Sequence, residues 1–487
     1  MLRRTKIVAT LGPATDDPKV LDEVLRAGVD VVRLNMSHGS HEDHARRADW
    51  VRNRARASGR QVGVLIDLQG PKIRCGRFTA GRIELAPDDR FTLDTAWDID
   101  QGSQERVGVT YPTLHLEVAR GDTLVLNDGL IVLWVDEVQG TEVRCKVVVG
   151  GTLSNNKGIN KMGGGLAAPA LTDKDLEDIR FAAEIEADYV AVSFVRSPED
   201  VHTARQLLRE AGGQGGIVSK IERAEALDCI EEIVDASDVI MVARGDLGVE
   251  IGDAELPAVQ KRLISTARSM NCVVITATQM MESMIHNPIP TRAEVFDVAN
   301  AVIDGTDAVM LSAESAAGKY PARAVEAMDR VCKEAEKQSQ TRQSDHRLHS
   351  VFGRIDEAIA MSTMYTANHL GVAAIAALTE SGSTCKWMSR ISSGIPIYAL
   401  TGQVATRRKV TLFRGVYPVS FDLEPGIDSR QANTEVIEEL QRRGAVRDDD
   451  LVIITKGDLN GVSGGTNVMK IVRVGEHILP SGGINFD

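Results

Sequence analysis

The sequence contains little that would mark a membrane, nucleic-acid or zinc-binding protein. No apolar run approaches the roughly 18 residues that a membrane-spanning helix needs, and Ile7–Leu11 is too short for a signal-peptide core. The net charge at pH 7 is −13 and no basic run is interleaved with aromatic residues, which argues against nucleic acid as a partner. The 6 cysteines are scattered without a Cys-x-x-Cys pair, so we expect free thiols in a reducing cytosol and no zinc site. We therefore predict a cytoplasmic protein with no membrane or nucleic-acid partner.

Familiar catalytic signatures are also missing. The sequence has no Walker motif and no protein-kinase catalytic loop, so a phosphate ligand would have to be held in another way. Ser37 and His38 stand side by side, but adjacent residues at a strand end point apart, which does not favour a serine hydrolase. Phosphate chemistry would have to rest on residues gathered from several parts of the chain.

The length of 487 residues is too great for one hydrophobic core and predicts two to four domains. In residues 1–70, short apolar runs alternate with helical patterns. The predicted strands there are Lys6–Leu11, Val29–Leu34 and Gln61–Ile66. Alternation of this kind is typical of a parallel sheet.

Residues 71–168 have a different pattern. Helical periodicity disappears, and short β-type runs are separated by Gly and Asp turns. The segment Asn127-Asp128-Gly129 is the strongest hairpin signal among them. We interpret residues 71–168 as a small β lid domain inserted in a loop, with the glycine triplet 163–165 as hinge material.

The alternation of strands and helices resumes after the insertion. Five further strands are predicted: Tyr189–Phe194, Ile217–Ile221, Val239–Val242, Cys272–Thr276 and Asp307–Leu311. Together with the first three, they make eight strand–helix units whose polar residues follow the strands directly, as in a (β/α)8 TIM barrel. An open doubly wound sheet would concentrate ligand groups near one switch point instead. The predicted fold class is α/β, with a TIM barrel at its centre.

The predicted barrel is discontinuous, formed by residues 1–70 and 169–340. Gln338–Ser350 is polar and aperiodic, and is the best linker candidate. Residues 351–487 alternate again between strands and helices, which predicts a C-terminal α/β domain with its own small sheet.

Two neighbouring strand ends carry the most informative residues. Lys220 and Glu222 lie two positions apart, so they share one face of a strand. The next strand ends in Ala243-Arg244-Gly245-Asp246, which we interpret as a turn that brings together a cation, an uncovered backbone and a carboxylate. Two carboxylates beside a lysine suit a hard divalent cation next to a phosphate.

The strand ends together offer a mixture of cations, carboxylates and hydroxyls that phosphoryl transfer requires. The candidates are Arg33, Arg74, Lys220 and Arg244 for positive charge, Asp67, Glu222 and Asp246 for carboxylates, and Ser37, Thr278 and Ser312 for hydroxyls. Simpler interpretations stay open for single residues. Arg33 could pair with a neighbouring acid, and Thr278 and Ser312 could merely tie off strand ends.

Eight segments in order along the chain resemble the pyruvate kinase family. They are Thr5–Pro13 (TKIVATLGP), Arg33–Gly39 (RLNMSHG), Gly70–Arg74 (GPKIR), Lys220–Glu222 (KIE), Met241–Gly248 (MVARGDLG), Ala277–Met284 (ATQMMESM), Pro290–Glu294 (PTRAE) and Asp307–Glu314 (DAVMLSAE). The inserted β domain and the C-terminal domain fit the same family, so the resemblance covers essentially the whole chain.

The resemblance implies transfer of the phosphoryl group of phosphoenolpyruvate to ADP, giving pyruvate and ATP in the last step of glycolysis. It implies Mg²⁺ or Mn²⁺ on Glu222 and Asp246, and Lys220 as the lysine that stabilises the phosphoryl group and the enolate oxygen. Arg33 would bind the substrate phosphate. The backbone of Ala243, Arg244, Gly245 and Asp246, together with Thr278, would hold the substrate carboxylate.

Further roles follow from the same resemblance. Ser312 and Glu314 resemble the region that helps to supply a proton to the enolate. The inserted domain would act as a lid, and the whole protein would be a homotetramer. The positions at which family members contact the nucleotide are Pro13, His38, Arg74 and Lys174.

One departure from the family concerns a monovalent cation. Many members read Asp-Thr-Lys-Gly-Pro-Glu after the third strand, where this chain has Asp67-Leu-Gln-Gly-Pro-Lys72. That glutamate accompanies a K⁺ ion held also by residues matching Asn35, Ser37 and Asp67. A lysine ammonium at the same place would supply the charge itself, so we predict activity without K⁺, as in the K⁺-independent branch of the family.

A second departure lies in the C-terminal domain, which the resemblance makes regulatory. The segment Thr379-Glu-Ser-Gly-Ser-Thr384 resembles the family's effector phosphate loop, with Thr379, Ser381, Gly382, Ser383 and Thr384 as its hydroxyl and N–H donors. Ser383 replaces a family arginine or similar residue. A sugar monophosphate and fructose 1,6-bisphosphate both stay open as the activating phosphorylated sugar, and so does an unused helix cap.

Two rival functions are weighed against this one. Another barrel enzyme acting on phosphoenolpyruvate, such as an aldolase, would not explain the lid or the nucleotide positions, and a phosphotransferase would need a phospho-accepting histidine domain. A catalytically silent phosphometabolite-binding protein would be expected to lack Lys220, Glu222 or Asp246, and all three are present.

Overall fold

The structure is a computed structural model that describes residues 2–342, 351–423, 427–457 and 464–476. Residues 343–350 of the predicted linker and 477–487 of the predicted C-terminal domain lie outside the described residues. None of the helices in the described ranges combines the length and apolar character that crossing a bilayer requires.

The first part of the chain folds as strand–helix units. Its elements are β1 (Lys6–Thr10), α1 (Pro18–Arg26), β2 (Val31–Asn35), α2 (His41–Ala57) and β3 (Gly63–Asp67). Asp17 caps α1, because its carboxylate accepts a hydrogen bond from Lys19 N at 2.8 Å. Ser40 and Asp43 form a capping box at the start of α2. The three predicted strands are confirmed, each within two residues at its ends.

The insertion is almost entirely β structure. Its elements are β4 (Arg82–Leu85), β5 (Arg90–Asp94), β6 (Arg106–Gly108), α3 (Leu114–Glu117), β7 (Thr123–Leu126), β8 (Ile131–Gln139), β9 (Glu142–Val149), β10 (Gly151–Ser154) and β11 (Ile159–Lys161). They form a sheet in the order β11-β7-β8-β9-β5-β6 and a pair β10-β4. The predicted hairpin joins β7 to β8, with Asn127 and Asp128 at φ 54° and 55°.

The chain then returns to strand–helix units. These are α4 (Asp173–Glu184), β12 (Tyr189–Val192), α5 (Pro198–Glu210), β13 (Gly216–Ile221), α6 (Ile230–Ala236), β14 (Val239–Ala243), α7 (Arg244–Ile251), α8 (Leu256–Ser269), β15 (Val273–Ala277), α9 (Arg292–Asp304), β16 (Ala308–Leu311), α10 (Ala313–Ala316) and α11 (Pro321–Ala335). Thr172 and Asp175 cap α4 reciprocally, as their spacing predicts.

Eight parallel strands close into a barrel in the order β1-β16-β15-β14-β13-β12-β3-β2. The predicted TIM barrel is therefore confirmed. All residues of β1, β3, β12, β14, β15 and β16 are buried, because side chains fill the barrel interior on one face and meet the surrounding helices on the other. The carboxyl ends of the strands consequently gather at one open end.

The C-terminal part has its own sheet. Its elements are α12 (Ile355–Leu370), β17 (Ala374–Leu378), α13 (Ser383–Ser389), β18 (Ile397–Thr401), α14 (Val404–Lys409), β19 (Val416–Ser420), α15 (Ser429–Arg442), β20 (Leu451–Gly457) and β21 (Thr466–Arg473). The sheet order is β19-β18-β17-β20-β21, with β21 antiparallel. Strand β19 was not predicted because Pro418 interrupts its pattern; the strand lies at the sheet edge, where proline is tolerated.

The C-terminal part packs against the amino-terminal end of the barrel. Arg390 forms a buried ion pair with Asp307, which directly precedes β16, and donates to Cys272 O at 2.7 Å. The Tyr189 hydroxyl donates to Lys409 O at 2.7 Å. This contact covers one end of the barrel and leaves the carboxyl ends of the strands for ligands.

Candidate active site

Lys220 lies at the centre of the open end, near the end of β13. Its Nζ is 2.9 Å from Glu222 Oε1 and 3.2 Å from Asp67 Oδ1, and it donates to Ser193 Oγ at 2.7 Å. Burial alone would lower the pKa of Lys220, but the charges of Asp67 and Glu222 outweigh burial and raise it above its ordinary value. A fixed positive charge therefore faces the barrel opening.

Asp67 joins two cations. Its Oδ2 accepts from Arg33 Nε at 2.5 Å, while its Oδ1 is the atom near Lys220. Arg33 also donates to Thr10 Oγ1 at 3.1 Å. Burial would raise the pKa of Asp67, but Arg33 and Lys220 hold it below its ordinary value. Arg33 thus has the acidic partner considered above, and its guanidinium stays beside Lys220 at the opening.

Glu222 and Asp246 are two carboxylates at neighbouring strand ends. Glu222 is only 2% exposed, and its Oε2 accepts from Phe194 N at 2.8 Å. Burial, with the nearby charge of Asp246, raises the pKa of Glu222. The buried Glu222 and the partly exposed Asp246, whose side chain is 24% exposed, together offer two carboxylates to a cation. Among the described residues, no group of three or more His, Cys, Asp or Glu residues could hold a metal, so any cation here would take its remaining ligands from substrate and water.

The turn predicted at Ala243–Asp246 is a helix start instead. Helix α7 begins at Arg244 directly after β14, which places Asp246 in its first turn. The predicted role of the Arg244 charge is also corrected. Its guanidinium donates to Thr278 O at 2.6 Å and to Asp297 Oδ1 at 2.7 Å, so it ties α7 to neighbouring segments rather than facing the opening.

Thr278 follows β15 in a strained conformation. Its φ is +69°, a region that β-branched residues rarely adopt. Its hydroxyl accepts from Gly245 N at 2.8 Å and donates to Ala277 O at 2.6 Å. The strain is thus held by bonds that align Thr278 with the amino end of α7, where N–H groups favour an anion.

Glu314 connects the last two strand ends. It is 2% exposed, and it accepts from Ser312 N at 2.7 Å and from Met281 N at 3.1 Å. Burial raises the pKa of Glu314, opposed by those backbone donors. Glu314 therefore fixes the loop after β15 against the loop after β16, with the half-buried Ser312 between them.

Two family models match consecutive parts of the chain. The model for the pyruvate kinase barrel domain matches residues 2–325, and the model for the pyruvate kinase alpha/beta domain matches residues 357–472. The chain belongs to the pyruvate kinase family.

Relatives in this family are similar over nearly their whole length. Pyruvate kinase II of Salmonella typhimurium is 55% identical over 477 residues, covering 97% of this chain and 99% of the relative. A pyruvate kinase of Buchnera aphidicola is 53% identical over 477 residues, with the same coverage of both chains. One of Haemophilus influenzae is 52% identical over 479 residues, again covering 97% and 99%. The predicted class of enzyme, a bacterial pyruvate kinase, is confirmed.

Against this family background, Lys72 stands in an unexpected place. Its Nζ is 3.5 Å from Asp246 Oδ1 and 3.9 Å from Asp128 Oδ1 at the tip of the lid hairpin. We expected the ammonium beside Asn35, Ser37 and Asp67. Among the described residues, Lys72 forms its ion pairs with Asp246 and Asp128 instead.

The predicted pyruvate kinase K⁺ positions are nevertheless close together. Asn35 and Asp67 are register partners on β2 and β3, and Asn35 Oδ1 accepts from Ser37 N at 3.1 Å. Asp67 is already neutralised by Arg33 and Lys220.

The four predicted nucleotide positions of the pyruvate kinase family lie outside the Lys220 cluster. Pro13 and His38 are exposed. Arg74 donates to Asn156 O at 2.8 Å at the base of the lid, and Lys174 pairs with Asp178 at 2.6 Å on α4. A role for these four residues in binding the nucleotide therefore stays a prediction.

Sequence reasoning missed three residues at this pyruvate kinase site. Ser193 bonds Lys220 and follows β12 directly, so its place after a strand was a usable signal. Arg223 and Glu250 form a buried ion pair at 3.3 Å. Arg223 follows Glu222 in the chain, and Glu250 lies one helical turn after Asp246 on α7. No spacing rule pairs them, because they come from different strand–helix units.

The predicted effector loop lines a cavity of about 450 Å³ in the C-terminal part. Thr379 Oγ1 accepts from Gly382 N at 3.0 Å, and the hydroxyls of Ser381 and Ser383 are 2.8 Å apart. Thr384 instead turns its hydroxyl to Thr466 at 2.7 Å. The loop residues are thus brought together beside an open volume.

Proposed function

We propose that this enzyme transfers the phosphoryl group of phosphoenolpyruvate to ADP at the open end of the barrel, in a Mg²⁺-dependent reaction. The observation that carries the proposal is the position of the Lys220 ammonium, 2.9 Å from Glu222 and 3.2 Å from Asp67. Because phosphoryl transfer depends on positioning and charge stabilisation, a fixed cation there meets its main requirement.

In this proposal the bond between phosphorus and the enol oxygen breaks, and a bond to an ADP phosphate oxygen forms. Lys220 and Arg33 stabilise the transferring group, and Lys220 also stabilises the enolate left behind. The enolate carbon then takes a proton to give pyruvate. Glu314 accepts hydrogen bonds from Met281 N and from Ser312 N, which supports a role for Ser312 and Glu314 in delivering that proton.

Glu222 and Asp246 are the proposed ligands of the divalent cation. When bound, Mg²⁺ would supply positive charge to the substrate and phosphoryl oxygens. The raised pKa of the buried Glu222 supports this assignment, since a carboxylate held near a second one is relieved by a cation. The substrate carboxylate is assigned to the amino end of α7, where Gly245 N and Thr278 Oγ1 already meet at 2.8 Å.

Activity without K⁺ is proposed on a charge count. Three carboxylates, Asp67, Glu222 and Asp246, face three fixed cations, Arg33, Lys220 and Lys72, through the ion pairs described above. Lys72 supplies the single positive charge that a monovalent ion would add, and the charge of the divalent cation is balanced by the phosphate of the substrate. The nucleotide is assigned to the rim between barrel and lid, near Pro13, His38, Arg74 and Lys174.

A phosphorylated sugar is the proposed effector in the C-terminal cavity, and the lining favours a single phosphate. Of the described lining residues, Lys456 alone is cationic, while Glu380 and Asp422 are carboxylates. Carboxylates repel a second phosphate and accept hydrogen bonds from sugar hydroxyls. The loop around Ser383 would hold the one phosphate through hydroxyl and N–H donors.

We also propose the three predicted domains at their predicted boundaries, a cytoplasmic location and a homotetramer. Exposed apolar side chains on two helices support contacts between copies. Phe296 on α9 is 70% exposed, and Ile355 and Tyr365 on α12 are 70% and 50% exposed. Side chains of this kind are typically covered in an assembly.

The test is to supply phosphoenolpyruvate, ADP and Mg²⁺ and to follow pyruvate and ATP together. Equal amounts of both products are expected. Pyruvate without ATP would indicate hydrolysis instead of transfer, and neither product would favour the silent binding protein.

A further inference from the structure

Arg223 is a buried arginine directly after Glu222, and its guanidinium contacts three other segments. Its Nε is 3.3 Å from Glu250 Oε1, and its NH2 group donates to Leu166 O at 2.6 Å and lies 3.3 Å from Glu225 Oε1. The side chain is only 5% exposed. A buried, forked cation of this kind fixes the geometry of the groups around it.

Glu250 occupies the last turn of α7, and Asp246 lies one turn earlier on the same face. Besides its ion pair with Arg223, Glu250 accepts from Ala224 N at 2.9 Å. Two bonds therefore join the helix that carries Asp246 to the backbone that immediately follows Glu222. The junction thus connects the two segments that carry the carboxylates.

The returning chain of the lid is attached to the same junction. Gly163 N donates to Glu250 O at 2.9 Å, Gly165 N donates to the Glu225 carboxylate, and Leu166 O accepts from Arg223. Gly163, Gly164 and Gly165 have φ values of 81°, 78° and 90°, which suit glycine alone. The glycine segment is thus followed directly by Leu166, whose carbonyl oxygen accepts the hydrogen bond from Arg223.

We propose that Arg223 and Glu250 are positioning residues, which couple the exit of the lid to the distance between the two metal-binding carboxylates. This inference rests on the proposed assignment of Glu222 and Asp246 to a divalent cation. A lid that moves pulls on Leu166 and Gly163, and the ion pair passes that movement to the segments after Glu222 and along α7. Metal affinity and lid motion are then linked.

The first experiment measures Mn²⁺ binding to the substrate-free protein by electron paramagnetic resonance, together with hydrogen exchange of the peptides that span residues 159–168. Arg223→Met and Glu250→Gln are each expected to weaken Mn²⁺ binding about 10- to 100-fold, as losses of residues that orient metal ligands do. Exchange of the lid exit is expected to quicken in both variants. Arg223→Lys keeps the charge but not the fork, and should fall between them and the wild type.

Arg205→Met is the matched control. Arg205 pairs with Asp238 at 2.6 Å and donates to Ala236 O at 2.6 Å, at the opposite end of β14. The Arg205→Met change also removes an arginine that has one carboxylate and one carbonyl partner, but it does so far from the proposed metal. The Mn²⁺ affinity of this variant should therefore stay at the wild-type value. Melting temperatures of all variants separate loss of fold from loss of binding.

The inference is overturned if folded Arg223→Met and Glu250→Gln bind Mn²⁺ as the wild type does while Asp246→Asn does not. If Arg223→Met fails to fold, Glu250→Gln and Arg223→Lys decide the matter in the same assay. Wild-type Mn²⁺ affinity in Asp246→Asn and Glu222→Gln would instead overturn the metal assignment, and this inference with it.

Discussion

The ammonium of Lys72 lies 3.5 Å from the carboxylate of Asp246, so the loop that leads from β3 into the lid touches a proposed metal ligand. The same ammonium is 3.9 Å from Asp128 on the lid hairpin. Lys72 therefore stands where barrel, lid and proposed metal site meet, and in the proposed function its charge takes the place of a monovalent cation.

Wild-type enzyme is expected to have the same rate in Na⁺ and in K⁺. Lys72→Glu removes one cation and adds a carboxylate near Asp246, so its rate should become at least about tenfold higher in K⁺ than in Na⁺. Lys72→Met removes the ammonium without adding a carboxylate, so its rates show how much of the effect comes from loss of the lysine alone. A wild-type rate that requires K⁺ would refute the charge count.

Thr278→Ala tests the assigned substrate carboxylate site. The change removes the hydroxyl that Gly245 N bonds at 2.8 Å, so kcat/KM for phosphoenolpyruvate should fall about 10- to 100-fold. Thr278→Ser keeps the hydroxyl and should retain most of the activity. Equal losses in both variants would mean that the backbone strain at Thr278, and not its hydroxyl, matters.

The proposed effector cavity is tested with sugar phosphates. A sugar monophosphate should activate the enzyme at lower concentration than fructose 1,6-bisphosphate, because Glu380 and Asp422 repel a second phosphate. Ser383→Asp places a carboxylate in the loop and should abolish the activation. Stronger activation by the bisphosphate would contradict the assignment of a single phosphate.

Lys6 gives a prediction about stability and pH. Burial lowers its pKa from 10.5 to about 8, although its Nζ donates to Val416 O at 2.6 Å. Between pH 8 and 10.5 the unfolded chain holds the proton more strongly than the folded one, so stability rises with pH in that window. Below pH 8 the cost of burying the charge is present in full.

The free energy of unfolding of the wild type, relative to Lys6→Met, should therefore increase by about 3 kcal/mol from pH 7.5 to 10.5. The size of this increase follows from the lowering of the Lys6 pKa from 10.5 to about 8. Denaturant titrations of both proteins at the two pH values measure it. A difference that does not change with pH would show that Lys6 is not desolvated as the structure implies.

Much of the site follows from local sequence patterns. The two-residue spacing of Lys220 and Glu222 correctly placed both on one face, and they contact at 2.9 Å. Regular alternation predicted the barrel because each strand and helix carries its own periodicity and end signals. Asp17 and Thr172 supply such end signals, since each side chain accepts a hydrogen bond from the first turn of the helix that follows it.

What could not be predicted depends on direction or distance. Arg244 was expected at the opening, but the chain enters a helix at that residue, and its side chain extends to Asp297 and Thr278. Lys72 was expected beside Asp67, but its partner Asp246 is 174 positions away. Contacts between separate strand–helix units, such as Arg223 with Glu250, leave no pattern in the sequence.

In the proposed reaction, Lys220 is held between Asp67 and Glu222 and stabilises the transferring phosphoryl group. The most direct test is the initial rate of pyruvate formation from phosphoenolpyruvate and ADP in saturating Mg²⁺, for wild type and Lys220→Met. Lys261→Met is the control, because Lys261 pairs with Asp304 on the outer helices and is 58% exposed. We predict a loss of kcat of at least about 10²- to 10³-fold in Lys220→Met alone. A folded Lys220→Met protein that keeps the wild-type rate would contradict the account.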